Sequence, residues 1–379
     1  MEYNVEEFDR IRPYEDREIQ PALKRITEQP QFPSIVKYLF PGVPADKIAA
    51  QMTQFKGVRE FQQGIMLKAF DKVIHKTITE LSFSGIDSLS KEVPYLYVSN
   101  HRDIALDSAI IQYILVKNGF DTGEIAFGDN LMLAPIFVDI AKTNKVLTVF
   151  RGGTMKEKLE NSRKLSKYIR YVITVKKQSL WIAQRNGRTK DGIDETDPGL
   201  LKMFHLSGED MDPEDSLSML NIVPVSLSYE YEPCDDLKAQ ENILTRTEGY
   251  EKKPEDDFKS ILMGLKQNKG RVHVHFGTPI TKKMMEGLAG THRNDFFNNL
   301  AGLIDKQIIE NYKLWPTSFI SFDLSEKKQG NSGNYSDEQK NAFIDYLKKR
   351  AEGHAIDPDD MEKEMLNIYS NPLREKSSF

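Results

Sequence analysis

The chain carries a single cysteine, Cys234, among 379 residues. That excludes an intramolecular disulfide and any cysteine-rich metal centre, and it makes a reducing compartment the simplest expectation. No run of about 18 apolar residues occurs either, the length a helix needs to cross a bilayer. The best candidate, residues 130–141, is interrupted by Pro135 and Asp139, so membrane contact is expected to be peripheral at most. The opening residues Met1-Glu2-Tyr3-Asn4-Val5-Glu6-Glu7 are acidic and lack the positive-then-apolar order of a signal peptide. A cytoplasmic location is expected, with the inner membrane face as the surface available for peripheral contact. An excess of positive charge is missing as well. With 52 basic and 57 acidic residues the net charge is -5, which argues against a general nucleic-acid binder. There is no internal repeat and no low-complexity tract.

The chain is long enough for two domains and a sizeable core, and 39% of it is hydrophobic. Residues 1–82 read as a helical bundle, with helices over 19–26, 33–40, 44–55 and 58–81. In the last of these Phe61, Ile65, Leu67, Phe70, Val73 and Ile74 recur near helical spacing and form a stripe to pack on a partner. From residue 83 the period changes. Apolar runs of strand type fall at 81–83, 95–99, 124–127, 146–149, 179–183, 222–228 and 271–276, with helical stretches at 104–117, 131–142, 155–174 and 255–266. That alternation predicts an α/β fold, a mixed, largely parallel sheet flanked by helices, over residues 83–326. The proline within Val223-Pro224-Val225 suggests that this run is an edge strand or holds a bulge. A helix over 295–312 follows, then a polar, glycine-bearing linker over 327–334. Ser336 with Gln339 is a capping-box start for a final helix to about 350, so residues 327–379 read as linker and C-terminal helices.

In sheets of this kind the site lies at the carboxyl ends of the strands, and one strand delivers a histidine there. The run Tyr95-Leu96-Tyr97-Val98-Ser99 ends in Asn100-His101, with Asp103 and Asp107 close behind at the start of a helical pattern. A carboxylate accepting the Nδ1 proton would leave Nε2 free to take a proton from a hydroxyl. Either acid is close enough in sequence to serve. A second strand, Leu180-Trp181-Ile182-Ala183, runs into a loop holding Arg185, Asn186, Arg188 and Lys190 around Gly187. Backbone amides at a glycine approach an anion closely, and guanidinium plus ammonium suits phosphate. A third strand ends in Phe150-Arg151-Gly152-Gly153 and offers a further cation.

Two other groups read as structural. His273 and His275 alternate on a strand and share a face, yet no third ligand is near in sequence, and zinc takes three or four. The acidic run Glu209, Asp210, Asp212, Glu214 and Asp215 lacks the spacing of a calcium loop and reads as a solvated loop. No metal site is expected.

The order of these motifs resembles the glycerolipid O-acyltransferases, which esterify glycerol-3-phosphate and 1-acylglycerol-3-phosphate from acyl thioesters. The resemblance covers residues 83–280. Ser84-Gly85-Ile86-Asp87 and Asn100-His101 look like the first block of that family, in which four residues separate His and Asp, whereas five separate His101 from Asp107 here. One inserted residue explains the difference, because Asp107-Ser108-Ala109-Ile110-Ile111 continues as the family helix does, and Asp103 stays the alternative. Phe150-Arg151 resembles the second block. Trp181-Ile182-Ala183 with Gly187-Arg188-Thr189-Lys190 is similar to the third, Val223-Pro224-Val225 to the fourth, and Phe276-Gly277-Thr278-Pro279-Ile280 to a closing turn. The motif style is nearest to the soluble plastid-type glycerol-3-phosphate acyltransferases, with Lys190 for an arginine and Asn186 where many relatives carry glutamate.

What the resemblance implies is an enzyme with His101 as base and Asp107 as its acid, and with Arg151, Gly187, Arg188 and Lys190 at the substrate phosphate. Arg185 and Asn186 would contact the acceptor. Acyl-CoA or acyl carrier protein would be the donor, with no cofactor and no nucleic-acid partner. Gly128-Asp129-Asn130 and the segment Leu131-Met132-Leu133-Ala134-Pro135-Ile136-Phe137 read first as packing, with the border of an acyl chain as the alternative.

Overall fold

Seven apolar segments pair edge to edge into one sheet: β1 (Glu80–Ser84), β2 (Leu96–Ser99), β3 (Glu124–Gly128), β4 (Val146–Val149), β5 (Leu180–Ala183), β6 (Ile222–Tyr229) and β7 (Arg271–Phe276). The structure, a computed structural model, describes residues 3–132, 134–247, 249–251, 253–290, 293–327 and 329–378. Leu133, and Lys328 in the expected linker, lie outside the described residues. The strand order is β1-β7-β6-β2-β5-β3-β4. Every pairing is parallel except β6 with β7, so β1 and β7 run opposite to the other five. The carboxyl ends of β2, β5, β3 and β4 therefore share one edge.

Helices complete the layers. The N-terminal group is α1 (Asp16–Thr27), α2 (Phe32–Leu39), α3 (Ala45–Met52), α4 (Val58–Phe61) and α5 (Leu67–Thr77). Between strands come α6 (Leu106–Lys117), α7 (Pro135–Thr143), α8 (Met155–Thr174), α9 (Pro198–His205), α10 (Pro213–Ser218), α11 (Asp235–Thr247) and α12 (Pro254–Lys266). After β7 follow α13 (Lys282–Met285), α14 (Arg293–Asn311), α15 (Pro316–Glu326), α16 (Asp337–Ala351) and α17 (Pro358–Ser378).

Strand periodicity explains why both faces are covered. Alternate residues of β2 and β5 enter different cores. Leu96, Val98, Leu180 and Ile182 pack with Ile169 of α8, Leu201 of α9 and Leu300 of α14. Tyr97 and Trp181 face the other way, against Ile110, Ile111 and Ile114 of α6 and Val73 of α5. The N-terminal helices hold a core of their own, from Ile19, Leu23, Val36 and Phe61, into which α7 inserts Ile136. Ala134 and Phe137 pack there as well, so these residues of the 131–137 segment serve as packing.

Several sequence expectations are corrected. The long helix read over 58–81 is α4, a five-residue π segment at Gln62–Met66 and α5, and it stops at Thr77, leaving Leu81 to β1. The β-branched Thr77, Ile78 and Thr79 end it. Pro224 is in no edge strand: β6 is buried along its length between β7 and β2. The β7 ladder covers Val225 to Tyr229, so the missing N–H of Pro224 falls where that ladder has ended, and its carbonyl still accepts from Gly277 N at 2.8 Å. The acidic run is only partly a loop, because Asp212, Pro213, Glu214 and Asp215 cap and open α10. The helix starting at Ser336 is followed by the longer α17.

That last helix reaches back to the sheet edge. Glu375 accepts the backbone N–H of Asp194 at 3.0 Å, and Asn371 donates to the carbonyl of Asp191 at 2.7 Å. Burial, together with nearby Asp194 and Asp305, lifts the Glu375 carboxyl to about 7. A carboxyl whose folded pKa is raised binds more protons folded than unfolded, so stability falls as pH rises from the ordinary glutamate range through about 7. Glu375→Gln keeps the acceptor and cannot ionise. It is expected to raise Tm over the parent at pH 8 and to match it near pH 5, as read by calorimetry. No helix among the described residues is long and apolar enough to cross a membrane.

Candidate active site

The end of β2 delivers a histidine to the carboxyl edge of the sheet. Ser99 is the last strand residue, and its hydroxyl accepts the indole N–H of Trp181 on β5 at 2.9 Å. Two residues later the His101 Nδ1 lies 2.8 Å from Asp107 Oδ2. The Asp107 side chain is completely buried, whereas His101 keeps 13% of its side chain exposed. Three further donors fix the carboxylate. The backbone N–H groups of Arg102 and Asp103 reach Oδ2 at 2.6 and 2.9 Å, and the Tyr229 hydroxyl donates to Oδ1 at 2.7 Å. Burial and the carboxylate beside it raise the Tyr229 phenol well above its ordinary value, so it remains a donor. Residues 102–106 form the turn between His101 and Asp107, and its first two amides close on the carboxylate. Asp103 does something else, accepting the amides of Ala105 and Leu106 at 3.0 and 2.8 Å as it starts α6.

The loop after β5 is joined to this turn through the main chain. Gln184 N donates to Ser99 O at 2.8 Å and Thr189 N to His101 O at 2.7 Å. The backbone at Arg188 thereby lies one residue from the contact with the His101 carbonyl. Arg188 is only 7% exposed, its Nη2 donates to Ser260 Oγ on α12 at 3.0 Å, and its Nη1 is buried without a hydrogen-bond partner. A guanidinium fork with one arm unfilled is half of an anion site. Gly187 makes the turn, with φ +80 and open space where a Cβ would stand, and Asn186 is exposed at the tip.

The other expected cations are placed differently. Lys190 Nζ is 2.6 Å from Glu241 of α11, and the Lys190 carbonyl accepts from Asn242 at 3.0 Å. Its charge is already paired. Lys190→Met is accordingly expected to leave the KM for a phosphorylated ligand within about threefold of the parent value, because the ammonium is already held by Glu241. Arg185 braces the loop from inside, donating from Nη2 to Thr189 Oγ1 at 3.1 Å and to the Ile193 carbonyl at 3.2 Å. Arg151 is exposed at the same sheet edge but after β4, three strands from β2, so roughly 14 Å away at the usual strand spacing. Its side chain passes over Gly128, where a Cβ would come within 2.7 Å of Nε.

Three contributors left no local mark in the sequence: Tyr229 and Ser260, which arrive from 122 and 72 positions away, and Glu241, 51 from Lys190. A fourth, Gln184, directly follows a strand, and both its side-chain polar atoms are buried without partners. Its position at a strand end could have flagged it. His273 and His275 stay apart from this edge, hydrogen-bonded to Ser82 and Ser84 of β1. Burial lowers both rings, His273 to about 4. Among the described residues no group of three or more histidine, cysteine or acidic side chains is arranged to hold a metal ion.

The elements define an α/β protein with a histidine–carboxylate pair and an arginine loop on one sheet edge. Comparison with family models returns no match for this sequence, and no curated protein matches it. Among solved structures the chain is similar to the 1-acyl-sn-glycerophosphate (LPA) acyltransferase PlsC from Thermotoga maritima, at 11% identity and a TM-score of 0.37, over 76% of this chain and 92% of that one.

Proposed function

We propose that the protein is an acyltransferase, moving a fatty acyl group from an acyl thioester to a hydroxyl of glycerol-3-phosphate or 1-acylglycerol-3-phosphate. One observation carries the reading: His101 Nδ1 is held by buried Asp107, and the loop hydrogen-bonded to the His101 carbonyl carries Arg188 with an unfilled Nη1. The donor is acyl-CoA or acyl carrier protein, and the chemistry needs no cofactor. Peripheral contact with a membrane surface would deliver the lipid substrates.

In this mechanism His101 Nε2 takes the proton of the acceptor hydroxyl while that oxygen attacks the thioester carbonyl. Asp107 keeps the imidazole in the tautomer with Nδ1 protonated and stabilises the imidazolium. The tetrahedral intermediate collapses with loss of the thiolate, which takes the proton back from Nε2 and leaves as a free thiol. Arg188 holds the phosphate so that the hydroxyl meets the base, which converts an encounter into an intramolecular step.

The pairing of Lys190 with Glu241 keeps a second acceptor class in view, a lyso-lipid without phosphate such as an aminolipid. Release of free thiol is the assay, run with glycerol-3-phosphate, 1-acylglycerol-3-phosphate and a lyso-aminolipid against acyl-CoA and acyl carrier protein. Acceptor-dependent release with a phosphorylated acceptor is expected. Release with the aminolipid alone would transfer the reading to that class, and tight lipid binding with no release from any donor would overturn acyl transfer altogether.

A further inference from the structure

The residues on either side of His101 and the one after Arg188 converge on a single carboxylate that the mechanism above does not use. Asp194 is 2% exposed and accepts three side-chain hydrogen bonds. Asn100 Nδ2 donates to its Oδ2 at 2.8 Å, Arg102 Nη2 to the same oxygen at 2.5 Å, and Thr189 Oγ1 to Oδ1 at 2.9 Å. Asn100 and Arg102 flank His101, and Thr189 follows Arg188. The other ends of these side chains are tied to the sheet and its surroundings. Asn100 exchanges two hydrogen bonds with the backbone of Leu227 on β6, at 3.0 and 2.8 Å. The Arg102 guanidinium is also buried, against Glu232 at 3.4 Å and over the Tyr312 ring at 5.1 Å. Lys238, completely buried, bonds both Glu232 and the Arg102 carbonyl, at 2.6 and 2.7 Å.

We infer that Asp194 is a positioning residue: it fixes the separation between the His101 imidazole and the Arg188 guanidinium by bolting the two turns that carry them. The inference rests on the acyltransferase reading for its catalytic consequence. The physical argument is one of stiffness. Without Asp194 the β2 and β5 loops would be joined beyond the strand ends by two hydrogen bonds, from Thr189 N to His101 O at 2.7 Å and from Arg102 Nη2 to Gly192 O at 3.2 Å. A buried carboxylate with charged and neutral donors has a steep energy well, because a displaced donor in that low-dielectric setting finds no water to replace it. The α17 helix adds to this on the outer side, since Gly192 lies so close to the Ile368 carbonyl that a Cβ there would be 2.1 Å from it. Loss of the bolt is expected to act on the alignment of acceptor with base more than on the sheet.

Thr189→Val tests this by replacing the hydroxyl with a methyl; Arg185 loses that acceptor as well but keeps the Ile193 carbonyl, and Thr189→Ser restores both of these contacts of the hydroxyl. Asp194→Asn supplements them. Two measurements are made on each variant. Hydrogen exchange at the residue 189 amide, the donor to His101 O, is expected to rise at least about tenfold in Thr189→Val and Asp194→Asn while the Val98 amide in β2 is unchanged. Steady-state kinetics are expected to show an acceptor KM raised about tenfold in Thr189→Val, with the thioester KM unmoved and Thr189→Ser near the parent. A simple loss of folded protein would lower kcat and leave both KM values alone. Unchanged exchange at residue 189 in Thr189→Val would overturn the positioning role whatever the turnover, as would Thr189→Ser behaving like Thr189→Val. If exchange rises as expected but the parent protein releases no thiol from any donor, the bolt stands and the acyltransferase reading is the one that fails.

Discussion

Replacing His101 by alanine is expected to leave the fold intact and to lower kcat for acyl transfer by between about 10²- and 10⁴-fold, the usual contribution of a positioned general base. The fold should survive because the ring is at the surface end of its strand. Its side-chain hydrogen bond is to Asp107, which keeps the amides of Arg102 and Asp103 and the Tyr229 hydroxyl as donors. The thioester KM is expected to stay within about twofold, since the ring acts after both substrates are bound. Radiolabelled acceptor and thiol release measure it, and circular dichroism checks the fold. Activity within tenfold of the parent would remove His101 from the mechanism. Asp107→Asn probes the same pair from beneath and is expected to lose activity of similar size by releasing the imidazole to the wrong tautomer.

The second large effect concerns Arg188, and it has two halves of opposite sign. Arg188→Met is expected to raise the acceptor KM by about 10- to 100-fold, because a hydrogen bond to a charged group contributes about 1.5–3 kcal/mol and about 1.4 kcal/mol is tenfold. The thioester KM should not follow. The same substitution is expected to keep or raise Tm, since the guanidinium is 7% exposed with Nη1 unpartnered and only Ser260 on Nη2, so a cation is held there at a cost to the free protein. A methionine of similar length fills the space without that cost. A lowered Tm with an unchanged acceptor KM would mean that Arg188 is a structural ion and the anion is bound elsewhere.

The sheet was legible because buried strands write themselves as short apolar runs. The runs at 95–99 and 179–183 needed no partner to be recognised, and a capping box marked Ser336 as the start of α16. His101 and Arg188 share one edge because each lies in the loop after one of two strands that turn out to be neighbours, β2 and β5. What escaped is of another kind. Pro224 reads as an edge residue by local rule, and only the length of the β7 ladder makes it tolerable in a central strand. The pairing of Lys190 with Glu241 and the closing of Ser260 on Arg188 join residues 51 and 72 positions apart, with nothing near either to name its partner. Such pairs exist only after the helices have packed, so composition and spacing near either partner say nothing of them. Asp107 against Asp103 lay between these cases: both were in view and both accept turn amides, and the choice turned on which carboxylate lies against His101 Nδ1.

The contact of α17 with the arginine loop also bears on how the protein is made. Asp194 and Glu375 are separated by 181 positions in the chain, so a ribosome delivers the loop long before the helix that braces it. A nascent chain that has released residues up to about 280 holds all seven strands and the His101 turn, yet Gly192 still faces solvent where the Ile368 carbonyl will later sit. Contacts of such sequence separation are paid for in loop entropy and form late. The sheet edge that carries His101 and Arg188 therefore gains its α17 contacts only after all seven strands have been made.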